Sequence, residues 1–182
     1  MKNLIFLMLS LIIFLRLSAQ ETKLDENTVI KEAGLSLTLP NSEWSLKKKV
    51  EEGPMTQYFF MRSEIRDHHL QTSKPYILVV VTDASKYLNI NQYSQEMQKE
   101  FDKFNLEIKS TLTRKDKDYP LKDINAIFIE STVELGTNQV FYMIHMINKE
   151  KKGIQIYLSM DKNLYKEHGS ELWTTIKSIR ET

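Results

Sequence analysis

The chain has no cysteine, only five glycines and four prolines in 182 residues, and a formal net charge of just +1. Without cysteine there is no disulfide staple, thiolate metal site, thiol catalysis or lipid-modified N-terminal cysteine. The glycines are scattered, so no glycine-rich loop is present to cradle a phosphate, and no serine stands in a Gly-x-Ser-x-Gly elbow. Near-neutral charge gives no general pull toward nucleic acid or an anionic membrane surface. The basic stretches Lys47-Lys48-Lys49 and Lys149 to Lys152 are short, lie beside acids, and read as solvated strand ends or turns. Internal repeats, low-complexity tracts and Pro/Gly-rich linkers are absent, which leaves one domain as the natural count.

Long apolar runs are also scarce, and the single one that exists is at the start. Lys2 supplies a positive beginning, residues 4–15 are almost unbroken apolar, and Leu17-Ser18-Ala19-Gln20 follows as a small-residue exit. This order predicts a secretory signal over residues 1–19, removed after Ala19. A spanning helix needs roughly 20 apolar residues, and Arg16 interrupts this run well short of that. An uncleaved N-terminal anchor is the alternative. The expected compartment is the periplasm or the exterior, with membrane contact only through the signal segment. Cleavage removes Lys2 and Arg16 and no acid, leaving 23 basic residues against 24 acidic ones, net −1. A mature chain of that size buries a core without disulfides, and 41% hydrophobic residues suffice for it.

Residues 20–33 are polar and read as a tail leading into a short helix or loop, with the domain proper over 34–182. Leu35-Ser36-Leu37-Thr38-Leu39 alternates as a half-buried strand, ended by Pro40-Asn41, and the alternation resumes at Trp44. A turn at Glu52-Gly53-Pro54 leads to an aromatic strand around Tyr58, Phe59 and Phe60. Tyr76 to Val81 is apolar on both faces, the mark of a central strand. Asn89 and Gln92 have the spacing of a capping box. Ile90, Tyr93, Met97, Phe101 and Phe104 then recur at three and four residues, an amphipathic helix. Strands follow over 106–114, 124–134, 139–148 and 154–160, with a charged loop at 115–121. The chain closes on a segment that Gly169 is expected to break, with Ser170 capping a final helix carrying Leu172, Trp173, Ile176 and Ile179. Short links imply antiparallel neighbours. The fold class is α+β: a mainly antiparallel sheet flanked by two amphipathic helices.

Gly34-Leu35-Ser36-Leu37-Thr38-Leu39-Pro40 followed by Trp44, and the ending Trp173-Thr174-Thr175-Ile176-Lys177-Ser178-Ile179 after the strand 154–160, resemble the two ends of PsbP-like domains, including the DcrB group of exported bacterial proteins. The element order between them is similar as well. The resemblance implies a PsbP-like sandwich used as a non-catalytic binding or assembly module, with no shared active site to transfer.

Few constellations carry chemistry. His68 and His69, beside Glu64 and Asp67, offer imidazole and carboxylate ligands suited to zinc, copper or nickel. Side chains of adjacent residues diverge, so a solvated polar loop is the competing reading, and His168 joins such a site only through a tertiary contact. His145 interrupts an apolar strand, which predicts a partly buried, hydrogen-bonded imidazole, with a general base as the alternative. Glu130 interrupts a similar run, and the two would form a polar pair if they met across the hairpin. Tyr58, Phe60, Tyr142, His145 and Tyr157 form a candidate ligand set between sheet and helix, suited to an apolar or lipid-like molecule. An ordinary two-faced core competes with it. No cofactor is expected.

Three function classes remain. The first is an exported, non-catalytic accessory protein of the cell envelope that contacts another envelope protein. The second is a carrier of a small apolar ligand, and the third a hydrolase using His and carboxylates. With no catalytic motif present, a binding role leads.

Overall fold

The computed structural model describes residues 27–66, 72–101, 104–121, 123–135 and 137–182. Its centre is a seven-stranded antiparallel sheet. In chain order the strands are β3 (Trp44–Glu52), β4 (Met55–Arg62), β7 (Tyr76–Asp83), β8 (Glu107–Leu112), β9 (Ala126–Leu135), β10 (Thr137–Ile147) and β11 (Lys152–Asp161). Their spatial order is β3-β4-β7-β11-β10-β9-β8. Strand β7 lies inside the sheet, as its unbroken Ile-Leu-Val-Val-Val run requires, because both of its faces are covered.

The two helices take opposite faces. Helix α1 (Ile90–Gln98) continues as a 3-10 turn over Lys99–Phe101. Helix α2 (Lys162–Ser178) follows β11 directly and buries Leu164, Leu172 and Ile176. A second sheet of three short strands completes the α2 side: β1 (Asn27–Ile30), β2 (Leu35–Thr38) and β12 (Arg180–Glu181), in the order β1-β2-β12. A two-stranded ribbon, β5 (Ile65–Arg66) with β6 (Thr72–Ser73), links β4 to β7. The fold class is therefore α+β, as the alternation pattern predicts. Among the described residues no helix is long and apolar enough to cross a membrane.

Strand parity sorts the core. The α2 face collects Tyr58, Phe60, Val79, Ile156, Leu158, Tyr142, Ile144 and Phe128 together with residues of α2, β1 and β2. The α1 face collects Leu78, Val80, Ile127, Ile129, Phe141, Met143 and Tyr157 around Phe101.

Three sequence expectations are corrected. The polar segment 20–33 already holds structure from Asn27: β1 pairs with β2, and Ile30 and Ala33 are fully buried. Gly169 does not break the last segment. Helix α2 runs through it, because a bare Cα there admits the Tyr165 ring; a Cβ would stand 2.7 Å from that ring. Nor is Ser170 the cap. Asp161 is, its carboxylate accepting from the Asn163 N–H at 2.9 Å. The first helix keeps its expected start, with Asn89 accepting from the Gln92 N–H at 3.0 Å. Gln92 bonds back to the Leu88 N–H at 2.8 Å, one residue upstream of the usual capping-box donor.

Candidate functional site

The five-residue aromatic set is divided by the sheet. Tyr58, Phe60 and Tyr142 point to the α2 side, while His145 and Tyr157 point to the α1 side. A side-chain period of two separates Tyr142 from Tyr157, since Tyr142 pairs with Leu158 across β10 and β11. The five therefore do not line one pocket. Glu130 and His145 are kept apart for the same reason: Glu130 pairs with Tyr142, and His145 with Ile127. His68, His69 and Asp67 lie outside the described residues. Among the described residues no group of three or more His, Cys, Asp or Glu is arranged to hold a metal ion.

Beneath α1 the interior is polar. His145 is fully buried, and its Nδ1 lies 2.8 Å from Ser94 Oγ on the helix. Gln98 Nε2 donates to that same oxygen at 3.1 Å, so Ser94 Oγ joins the helix side chain to the imidazole. His145 Nε2 has no hydrogen-bond partner among the described residues. Burial pushes the imidazole down to about 3, so it is neutral at physiological pH. Beside it, Gln155 Nε2 donates to the Tyr93 hydroxyl at 2.9 Å, and the Tyr157 hydroxyl donates to Gln155 Oε1. Burial raises both phenols, Tyr93 to about 12. A Ser–His contact without a carboxylate partner and without solvent access is poorly placed for nucleophilic chemistry, which needs a cleft that admits substrate. The contact ties α1 to β10.

The α2 side keeps its ion pairs at the rim. Glu171 accepts from Trp44 Nε1 at 2.7 Å and takes a two-pronged contact from Arg62, Nε at 2.8 Å and Nη2 at 3.1 Å. Burial pushes the Glu171 carboxyl up, but the Arg62 and Trp44 donors outweigh it and the net shift is downward. His168 stands 3.3 Å from the same carboxylate, so it is committed to this clasp. Tyr142 and Tyr165 share a 2.5 Å hydroxyl contact, and Trp173 donates to Tyr165 at 2.9 Å. Further along, Glu32 takes bonds from Lys49 and Tyr58, and with Lys49 first these hold its carboxyl down at about 2.

One accessible concavity stands apart from these closed networks. It lies between the first turn of α1 and the segments flanking the β8–β9 connection, with a volume of about 560 Å³. It is lined by the apolar residues Ile90, Ala126 and Ile127, the uncharged polar residues Asn91, Asn125 and Thr113, and the exposed cations Arg114 and Lys115. The sequence reading passed over this pair, because Asp116 and Asp118 follow at once and cancel the local charge count. The signal that finds them is tertiary: β8 ends and β9 begins beneath the helix start.

The arrangement belongs to the α+β class with a large antiparallel sheet and two helices. Among solved structures the chain is similar to the Ran-binding protein Mog1p of Saccharomyces cerevisiae. The TM-score is 0.51 at 10% identity, over 90% of this chain and 96% of that one, a likeness that shows the fold alone. No protein-family model matches the chain, and no curated protein sequence does.

Proposed function

We propose that the protein is an exported, non-catalytic accessory module of the cell envelope, PsbP-like in kind, that works by contacting another protein. The observation that carries this reading is the outer edge of the main sheet. Strand β8 is the last in the order, and its Ile108 side chain is 46% exposed. An unpaired edge with an apolar side chain is a template for an added strand. The opposite edge, β3, is the more strongly charged. It carries Lys47, Lys48 and Lys49 against the single Lys109 of β8, while both edges hold a register shift, between Leu46 and Lys48 in β3 and between Ile108 and Ser110 in β8. The signal-like segment 1–19 supports export, and the absence of a solvent-reached catalytic constellation among the described residues favours binding over turnover. A protein of similar fold is itself named Ran-binding, which agrees with a fold used for protein contacts.

The test uses tagged full-length precursor produced in its own host. Its recovery from the envelope fraction with a mass beginning at Gln20 is expected. Affinity capture then returns one partner in fixed stoichiometry from wild type and loses it with Ile108→Asp, while Leu88→Asp, an exposed control, keeps it. Retention of an intact N-terminus in the cytosol sinks the export reading. Failure to capture any partner, with a small ligand retained in native mass spectrometry, sinks the protein-contact reading.

A further inference from the structure

We propose that the groove between the start of α1 and the β8–β9 connection binds a small amphipathic anion: a carboxylate or phosphate head at Arg114 and Lys115, and an apolar body over Ile90, Ala126 and Ile127. Such a site is independent of the protein-contact reading, because it needs no partner chain and uses a different part of the surface from Ile108.

Four observations converge on this ligand class. The groove's volume of about 560 Å³ lies within the range of about 300–1,000 Å³ usual for small-molecule sites. Its lining includes two cations and no carboxylate. Arg114 and Lys115 are both exposed, and neither makes an ion pair among the described residues. The nearest acid in sequence, Asp116, is already committed. Its Oδ2 accepts from the Thr113 N–H at 2.7 Å and from Thr113 Oγ1 at 2.8 Å, and those bonds hold its carboxyl below the ordinary range. The two cations thus line a concavity whose other lining residues are apolar or uncharged. That combination suits a molecule with one charged end.

The walls are held in place before any ligand arrives. The Tyr119 hydroxyl accepts from the Ala126 N–H and lies 3.0 Å from the carbonyls of Ile124 and Ala126, tying the connection to the first residue of β9. Leu121 and Ile124 are buried and anchor the same segment. On the other wall the start of α1 is fixed by Asn89 and Gln92, whose side chains accept from the Gln92 and Leu88 N–H groups. A preformed wall lowers the ordering cost of binding.

The experiment is a titration of the folded protein with octanoate, octyl phosphate, octylamine and inorganic phosphate, each below its micelle concentration, followed by amide chemical shifts. Octanoate and octyl phosphate are expected to move resonances of Ile90, Asn91, Arg114, Lys115 and Asn125, with weakening as salt rises. Arg114→Glu combined with Lys115→Glu lowers the affinity at least about tenfold while the thermal midpoint stays unchanged, since both side chains are exposed. Ile90→Asp lowers it as well. Equal binding of octylamine overturns the charge assignment. Equal binding of inorganic phosphate reduces the site to a basic patch and overturns the amphipathic one. Shifts outside the groove, or indifference to the charge reversal, overturn the location. Free acids and phosphorylated lipids share this head chemistry, and the ratio of octanoate to octyl phosphate affinity tells them apart.

Discussion

The two faces of the main sheet are covered by helices of different length, and their contents differ accordingly. Helix α2 has 17 residues and is joined by the sheet β1-β2-β12, so its face is more fully covered; its interior holds the Tyr142 phenol and the Thr175 hydroxyl, and its ion pairs stand at the rim around Glu171 and Glu32. Helix α1 has nine residues, and its face contains a buried imidazole, a buried amide and two buried phenols. It also leaves open the groove at its start and the edge at β8. One face is built to hold the domain together. The other holds the buried cluster of His145, Gln155, Tyr93 and Tyr157 and borders the groove, so the proposed ligand site is tested there.

Core truncation tests the first half of that contrast. Phe128 is buried and its ring lies 5.6 Å from Tyr142 and 5.8 Å from Trp173, centroid to centroid. Phe128→Ala is expected to cost about 4 kcal/mol in denaturant unfolding. Phe101 lies where α1 ends, packed on Phe141 and Tyr157. Its replacement by Ala is expected to cost about 3 kcal/mol. Amide exchange in the Phe101 variant should rise first in α1, leaving α2 protected. Equal loss of protection in both helices would erase the distinction between the faces.

Acid titration reads the buried imidazole. An unfolded histidine takes up a proton near its ordinary pKa of about 6.5, whereas the folded His145 resists protonation down to about 3. Between those values the unfolded state holds the extra proton, so His145 leaves stability intact above about 6.5 and erodes it as pH falls. The expected slope is about 1.4 kcal/mol per pH unit. His145→Gln, which keeps an amide near Ser94, should flatten stability between pH 6.5 and 4.5. This window lies above the range where Glu32 and Glu171 gain protons. An unchanged slope in the variant would show that His145 titrates in solvent.

The glycines give a smaller contrast. A Cβ on Gly153 would stand 2.6 Å from the Tyr93 ring, whose hydroxyl is fixed by Gln155 beneath α1. Gly153→Ala is expected to lift α1 and cost about 2 kcal/mol. Gly169→Ala meets Tyr165 at 2.7 Å, but that ring is only half-buried and the substitution gains helix propensity of about 1 kcal/mol. Because Tyr142 and Trp173 hold the Tyr165 hydroxyl, the ring yields only in part, and the net cost in thermal unfolding should be about 1 kcal/mol, smaller than at Gly153. A larger loss at Gly169 than at Gly153 would reverse the order of the two faces.

Local signals in the sequence carry much of this fold, and the missing parts share a cause. Alternation around Leu35 to Leu39, the apolar run of β7 and the Asn89 cap are each decided within a few residues, and each is found in place. What fails is whatever depends on register. Tyr142 and Tyr157 look alike as strand aromatics, yet pairing with Leu158 sends one to each side. The Ser94–His145 contact spans 51 residues and leaves no local pattern. Strand β1 hides in a polar segment because only its alternate residues, Thr28 and Ile30, are buried. Arg114 and Lys115 hide because neighbouring acids balance them in a count, although Asp116 turns its carboxylate onto its own backbone turn.

The smallest effect tests whether the open side of the α1 face is preformed. Tyr119 holds the β8–β9 connection through one hydroxyl, and Tyr119→Phe removes those bonds while keeping the ring. Because the Ala126 N–H then loses its acceptor, the expected cost is about 1 kcal/mol in denaturant unfolding. The loss should be local: faster amide exchange at Ala126 and through residues 113–121, with α2 unaffected. If the groove's shape rests on this anchor, the same variant weakens octanoate binding without altering either cation. Unchanged exchange at Ala126 would mean that Leu121 and Ile124 alone hold the wall, and the hydroxyl would lose its place in the comparison.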